Sequence, residues 1–134
     1  MEKKLEHTTR IPIRWGDMDA FGHVNNTVFF RFMEQARVEW MESCGIPMES
    51  GGQGPVVVNT HCNFRQQLKY PGEVEVKTFA GAPGRSSFET FVEIRRADQP
   101  EVLVADGAAK IVWVDYAAGK SVPLPQSLRA VIEG

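Results

Sequence analysis

Between Arg14 and Asn26 the chain reads Arg-Trp-Gly-Asp-Met-Asp-Ala-Phe-Gly-His-Val-Asn-Asn, one short polar connection directly ahead of the longest apolar stretch of the sequence. A carboxylate there can attack an electrophilic carbon or take a proton from water, and a neighbouring histidine can carry a proton. The same residue types also make turns and helix caps: Asp17 and Asp19 suit Asx turns, and Asn25 and Asn26 suit an N-cap. Asp17, Asp19 and His23 carry metal-donor atoms, but no further ligand stands at a recognisable spacing, so no metal is expected. What separates chemistry from mere shape is the set of elements behind this loop.

Residues from about 27 to 44 place Phe29, Phe32, Met33, Ala36 and Trp40 at helical spacing, with Arg31, Glu34, Gln35, Glu39 and Glu42 falling largely elsewhere. This predicts a helix of about five turns, rising about 27 Å. Asn25 and Asn26 supply its start, and Gly45 followed by Ile46 and Pro47 supplies its stop. Upstream, residues 6–14 are β-branched enough for a first strand, which Pro12 restricts to a sheet edge.

From Pro55 onward the period changes to two. Val56, Val58, Thr60, Cys62 and Phe64 alternate with polar neighbours, predicting a strand with one dry and one wet face. Glu73 to Ala80, Ser87 to Arg96 and Leu103 to Asp115 read as three more strands, separated by turns rich in Gly and Pro. Residues 126–133, led by Pro125, read as a short closing helix. Short turns imply antiparallel neighbours, so a sheet wrapped around one buried helix is the economical arrangement. Such a sheet keeps an edge strand, which pairing with another copy would protect, so a homodimer or homotetramer is expected.

At 134 residues the chain suits one domain. Fifteen basic against seventeen acidic residues, net −2, give no electrostatic footprint for nucleic acid or an anionic membrane. The opening residues carry charges without an apolar leader segment, and no window approaches the roughly 20 apolar residues of a membrane span. A soluble, cytoplasmic protein is the expectation. Cys44 and Cys62 stand too far apart for a Cys-x-x-Cys unit and read as buried thiols. Gly51 to Pro55 is the loosest segment and reads as a connection.

The run Asp17-x-Asp19-x-x-Gly22-His23-Val24-Asn25-Asn26, the aromatic pair Phe29-Phe30 and Glu34-x-Ala36-Arg37 on the helix resemble the hotdog-fold acyl-CoA thioesterases of the 4-hydroxybenzoyl-CoA thioesterase type. The resemblance covers essentially the whole chain. It implies an α+β hotdog fold, a five-stranded antiparallel sheet wrapped around one long central helix, as a single domain over residues 1–134. It further implies hydrolysis of an acyl-CoA thioester, with coenzyme A entering only as part of the substrate and no separate cofactor. In that family the aspartate matching Asp17 lies at the thioester, as nucleophile or as general base. The backbone at the following helix start receives the carbonyl oxygen. Elementary physics agrees, because the first helical N–H groups lack intrahelical acceptors and carry the positive end of the dipole, so an oxyanion beside His23, Val24 or Asn25 would be stabilised.

The pattern departs from many members in one place, Phe29, where they carry tyrosine. Some members of the wider superfamily place the catalytic carboxylate inside the helix, where Glu34 stands; the completeness of the loop motif favours Asp17. His23 offers either a catalytic role or a bond to its own turn, and Glu34 with Arg37 reads as an ion pair. His61 falls on the wet strand face with Asn59 and Asn63, which suits a surface or subunit interface. Arg85, beside Ser86, matches the general place where relatives contact the nucleotide, with Lys69 and Arg65 as weaker candidates. Two other readings make different predictions. A non-catalytic acyl-CoA-binding protein would bind without releasing thiol, and a hotdog hydratase or dehydratase would pair aspartate with histidine in a different local motif.

Overall fold

The computed structural model describes residues 4–46 and 52–134, so Pro47 and Gly51 lie outside the described residues. Strand β1 (Lys4–Ile13) passes through a 3₁₀ turn (Trp15–Asp17) to helix α1 (Asn26–Ser43). Strands β2 (Gln53–Phe64), β3 (Gly72–Gly81), β4 (Ser87–Arg96) and β5 (Ala105–Asp115) follow, then the two-residue β6 (Lys120–Ser121) and helix α2 (Gln126–Glu133). Every pairing is antiparallel, in the order β1-β3-β4-β5-β2, with β6 beside β5. The five expected strands are present, and β6 is an addition: two residues carry no periodicity from which to read a strand.

Helix α1 buries the stripe formed by Phe29, Phe32, Met33, Ala36 and Trp40, joined by Met41. Each fully buried Phe or Met there contributes about 1.5–3 kcal/mol. Towards its start the helix packs with Ile13, Leu68, Val76, Val92 and Ile94. Towards its end Trp40 and Met41 pack with Phe88, Ile111, Trp113 and Leu128 of α2. One long helix thus serves as the axis of two successive cores.

Both ends of α1 are chemically marked. Asn25 Oδ1 accepts the Thr27 N–H at 3.0 Å, so Asn25 is the cap and Asn26 the first helical residue. At the other end Gly45 adopts φ 80°, its N–H donating to the Glu42 carbonyl at 3.0 Å while the Ile46 N–H donates to Met41 at 3.1 Å. This is a Schellman stop, with Ile46 buried beside Met41. Gly45→Ala is expected to destabilise by about 1 kcal/mol, because only the backbone angle resists the new Cβ. Thermal unfolding by circular dichroism should show a melting point lower by about 3–5 °C.

Two expectations for the strands are corrected. Short turns do join neighbours at β3–β4 and β4–β5, but β2 pairs with β5 and β3 with β1. Residues 65–71 therefore cross the molecule instead of forming a hairpin. Strand β2 is wetter than its alternation predicts: Val56 and Cys62 are half-buried, Cys62 against the core, but Val57, Val58, Thr60 and Phe64 are exposed. The pairing skips Val58, going from Val57↔Ile111 to Asn59↔Lys110, so a bulge resets the alternation. The strand forms a sheet edge and begins earlier than read, taking in Gln53, Gly54 and Pro55.

Candidate active site

Strand β1 delivers the loop. Its last residue, Ile13, is buried in the core, and Arg14 then opens the 3₁₀ turn that ends on Asp17. The Asp17 N–H donates to the Arg14 carbonyl at 3.0 Å, and the Arg14 N–H donates back to Asp17 Oδ2 at 2.8 Å. The reciprocal bonds orient the carboxylate from its own backbone. Oδ1 is left facing the Arg14 guanidinium, with Nε 3.8 Å away. Asp17 is only 9% exposed, while Trp15 and Phe21 around it are 73% and 87% exposed.

Beyond Asp17 the loop folds back on itself. Met18 and Val24 form an isolated bridge, in which the Asp19 N–H donates to His23 at 2.9 Å and the Asn25 N–H donates to the Asp17 carbonyl at 3.0 Å. Asp17 is thereby tied to the residue that caps α1. Asp19 Oδ1 accepts the Phe21 N–H at 2.9 Å, the Asx turn expected of it.

Most backbone amides at the helix start are already engaged. The Val24 N–H donates to Leu68 at 2.8 Å, the Asn25 N–H to Asp17, the Thr27 N–H to the Asn25 side chain, and the Val28 N–H to the Asn25 carbonyl at 2.9 Å. Among the described residues, the amides of His23 and Asn26 have no acceptor. Val24 and Asn25 fix the shape of the loop, and the unsatisfied donors lie on either side of them.

Two concavities flank this start. One, of about 320 Å³, is lined by His23 and Asn26 together with Phe21, Phe29, Phe64 and Leu68. Phe64 meets Phe29 edge-on at 5.3 Å, which gives one side of it an aromatic wall. The other, of about 540 Å³, holds Asp17 with Arg14, Arg31, Glu34 and Gln35. Glu34 thus shares a cavity with Asp17, but its carboxylate is engaged by Arg31 at 2.9 Å. The expected Glu34–Arg37 pair is replaced by this one: Arg37 is half-buried, and burial pulls its guanidinium below the usual range against the opposing pull of Glu34.

Other sequence candidates lie apart. Arg85 and Ser86 sit in the turn before β4, where their carbonyls accept the N–H groups of Leu124 at 3.0 Å and Trp113 at 2.7 Å. That turn follows β3, whose opposite end, Gly72, pairs with Ile13. The length of a ten-residue strand, about 30 Å, therefore separates them from Asp17 within one chain. His61 lines a separate hollow of about 330 Å³ on the outer sheet face with Phe79 and Phe91. Arg65 is committed to Asp106 at 2.5 Å. Burial and the charge of Asp106 push the Cys62 thiol up to about 11, and burial raises Cys44, so neither is a thiolate nucleophile near neutrality. Among the described residues, no group of three or more His, Cys, Asp or Glu side chains gathers closely enough to hold a metal ion.

The chain matches the family model of the thioesterase-like superfamily over residues 13–132. The solved structure of the PA2801 protein of Pseudomonas aeruginosa superposes with a TM-score of 0.92 at 41% identity, covering 95% of this chain and 98% of that one. The long-chain acyl-CoA thioesterase FadM of Escherichia coli is 25% identical over 128 residues, 93% of this chain and 96% of FadM. The chloroplastic acyl-acyl carrier protein thioesterase ATL3 of Arabidopsis thaliana is 28% identical over 129 residues, 92% of this chain and 66% of ATL3. The loop that orients Asp17 and the helix it caps both lie inside the matched region, and this hotdog chain belongs to the thioesterase-like superfamily.

Proposed function

We propose that this protein, as one domain over residues 1–134, hydrolyses acyl-CoA thioesters to free acid and coenzyme A, with no cofactor beyond the CoA of the substrate. One observation carries the reading: a backbone-oriented carboxylate, Asp17, is tied by a 3.0 Å bond to the start of a long helix whose first amide, that of Asn26, is unsatisfied. A thioester carbonyl at this start, from His23 to Asn26, would develop its negative charge against free N–H groups and the positive end of the dipole. Asp17 then either attacks the carbonyl carbon, expelling CoA thiolate and leaving a mixed anhydride for water to open, or takes a proton from water that attacks directly. Both routes release free thiol. The carrier protein named for ATL3 shares the thioester, so the test panel includes acyl-CoAs and one acyl carrier thioester.

Thiol release by purified protein over a range of acyl groups is the test. Turnover with at least one acyl-CoA is expected. Saturable binding without thiol release would establish the non-catalytic alternative, and hydration of a 2-enoyl thioester would establish the hydratase. A second reading makes Glu34 the base, because it lines the same cavity as Asp17.

The proposal extends to assembly. Strand β2 ends the sheet with Val57 42%, Val58 56% and Phe64 46% exposed. An edge this long and apolar calls for a second copy, as a homodimer or within a tetramer. Antiparallel pairing of two β2 strands reverses the ends of the second copy, bringing its residues 84–86 to the end that holds Asp17. Arg85 and Ser86 would then meet CoA phosphates across the interface. Val58→Lys is expected to convert the oligomer to monomer in light scattering and to lower turnover with it. A monomeric wild type would remove this part of the proposal. The reading also places the protein in the cytoplasm, where CoA thioesters are made.

A further inference from the structure

We infer that Arg96, at the end of β4, is the positioning residue that holds the second wall of the active site against the helix start. This wall is the crossing segment 65–71, which joins β2 to β3 over the mouth of the sheet. It supplies Gln66, Gln67 and Leu68 to the aromatic concavity beside His23 and Asn26. It also supplies the Leu68 carbonyl that takes the Val24 N–H at 2.8 Å, so the position of this segment sets the position of the loop. Leu68 is 1% exposed and acts as its apolar anchor. The Val104 carbonyl holds the start of the segment, accepting the N–H groups of Arg65 at 2.9 Å and Gln66 at 3.0 Å, and Arg96 holds its end.

Arg96 Nη1 donates to the Lys69 carbonyl at 2.8 Å and Nη2 to the Pro71 carbonyl at 2.8 Å. Its remaining edge is fixed by Asp98, through Nε at 2.9 Å and Nη2 at 3.2 Å. All three guanidinium nitrogens are therefore committed, in a fork geometry that an ammonium does not reproduce. The Arg96 guanidinium in turn holds the Asp98 carboxyl below the usual carboxylate range. Residue 72 must be glycine for the same reason: it adopts φ 150°, and a Cβ there would collide with the guanidinium. A continuous path thus runs from Asp98 through Arg96 to the carbonyls of residues 69 and 71, then by Leu68 to Val24 and the helix cap. Arg96 touches neither Asp17 nor the unsatisfied amides, and acts only through this path.

This inference rests on the reading that the thioester lies at the start of α1, so the experiment has one arm that needs no turnover. Amide hydrogen exchange at Val24, followed by NMR, is compared in wild type, Arg96→Ala, Arg96→Lys and Asp98→Asn. Faster exchange at Val24 in the two Arg96 variants is expected, with Trp40 and other amides of α1 unchanged and the melting point lowered only modestly. In the second arm, thiol release should fall about 10- to 100-fold in both Arg96 variants, the range expected when a reacting geometry loosens without loss of a reacting group. The loss should fall on kcat, and the ratio between short and long acyl groups should change because the displaced segment lines the concavity. Asp98→Asn, which leaves the two carbonyl bonds in place, should lie between these variants and wild type. Wild-type exchange at Val24 in folded Arg96→Ala overturns the inference, as does wild-type kcat with an unchanged acyl profile. Absence of turnover in wild type, with the exchange effect present, would instead overturn the thioesterase reading and leave the Arg96 clamp standing.

Discussion

Asp17→Asn is expected to reduce kcat for thioester hydrolysis by about 10³-fold, within the range for removal of a positioned nucleophile or base. The substitution is nearly isosteric. The amide oxygen can still accept the 2.8 Å bond from the Arg14 N–H, and the backbone bonds of Asp17 to Arg14 and Asn25 do not involve the side chain. The loop, the cap and the unsatisfied amides should survive, so the melting point should move by less than about 3 °C. What disappears is the anionic oxygen facing the cavity, and with it the ability to attack carbon or accept a proton. Glu34→Gln, by contrast, removes an ion pair with Arg31 on an exposed helix turn, and should change kcat by less than about 5-fold. The pair of variants decides between the two carboxylates that share the cavity. Full activity in Asp17→Asn, or a deeper loss in Glu34→Gln, would transfer the chemistry to the helix.

How far the sequence could be read follows from the range of the forces involved. The helix was legible to within a residue at either end, because its apolar spacing, its Asn25 cap and its Gly45 stop are all local. The family resemblance carried by the short polar run to Asn26 was legible for the same reason. Its wiring was not. That Val24 donates to Leu68, and that Arg96 holds the segment carrying Leu68, depends on pairings tens of residues apart that leave no periodic trace. The exposed β2 shows the opposite failure. Its alternation resembled a half-buried strand, yet a bulge at Val58 and an edge position left Val58, Thr60 and Phe64 of the expected dry face exposed within one chain. A pattern of apolar residues reports that something will cover them, without saying whether the cover is the same chain or another. The placement of Arg85 and Ser86 at the far end of the sheet from Asp17 makes a related point, since spacing along a chain cannot show to which end of a sheet a turn belongs.

The largest effect on stability is expected at Trp40, far from the chemistry. Trp40 is 1% exposed and meets Phe88 edge-on at 5.8 Å, within a cluster that joins α1 to β4, β5 and α2 through Ile111, Trp113, Leu128 and Ile132. These elements have few alternative fillers: the facing sheet residues Ala80 and Ala109 are small and cannot close a cavity the size of an indole. Trp40→Ala should therefore cost about 3–5 kcal/mol, a large share of the 5–15 kcal/mol typical of a whole domain. A fall of roughly 10–20 °C in melting point is the corresponding calorimetric result. The site lies about 21 Å away along α1, counted as fourteen residues from Asn26. The core of Phe29, Phe32, Met33 and Leu68 stands between them. Below its melting point the variant should accordingly keep wild-type kcat. Equal losses of stability and of turnover per folded molecule would show instead that the two cores act as one, and that the helix start depends on packing along the whole length of α1.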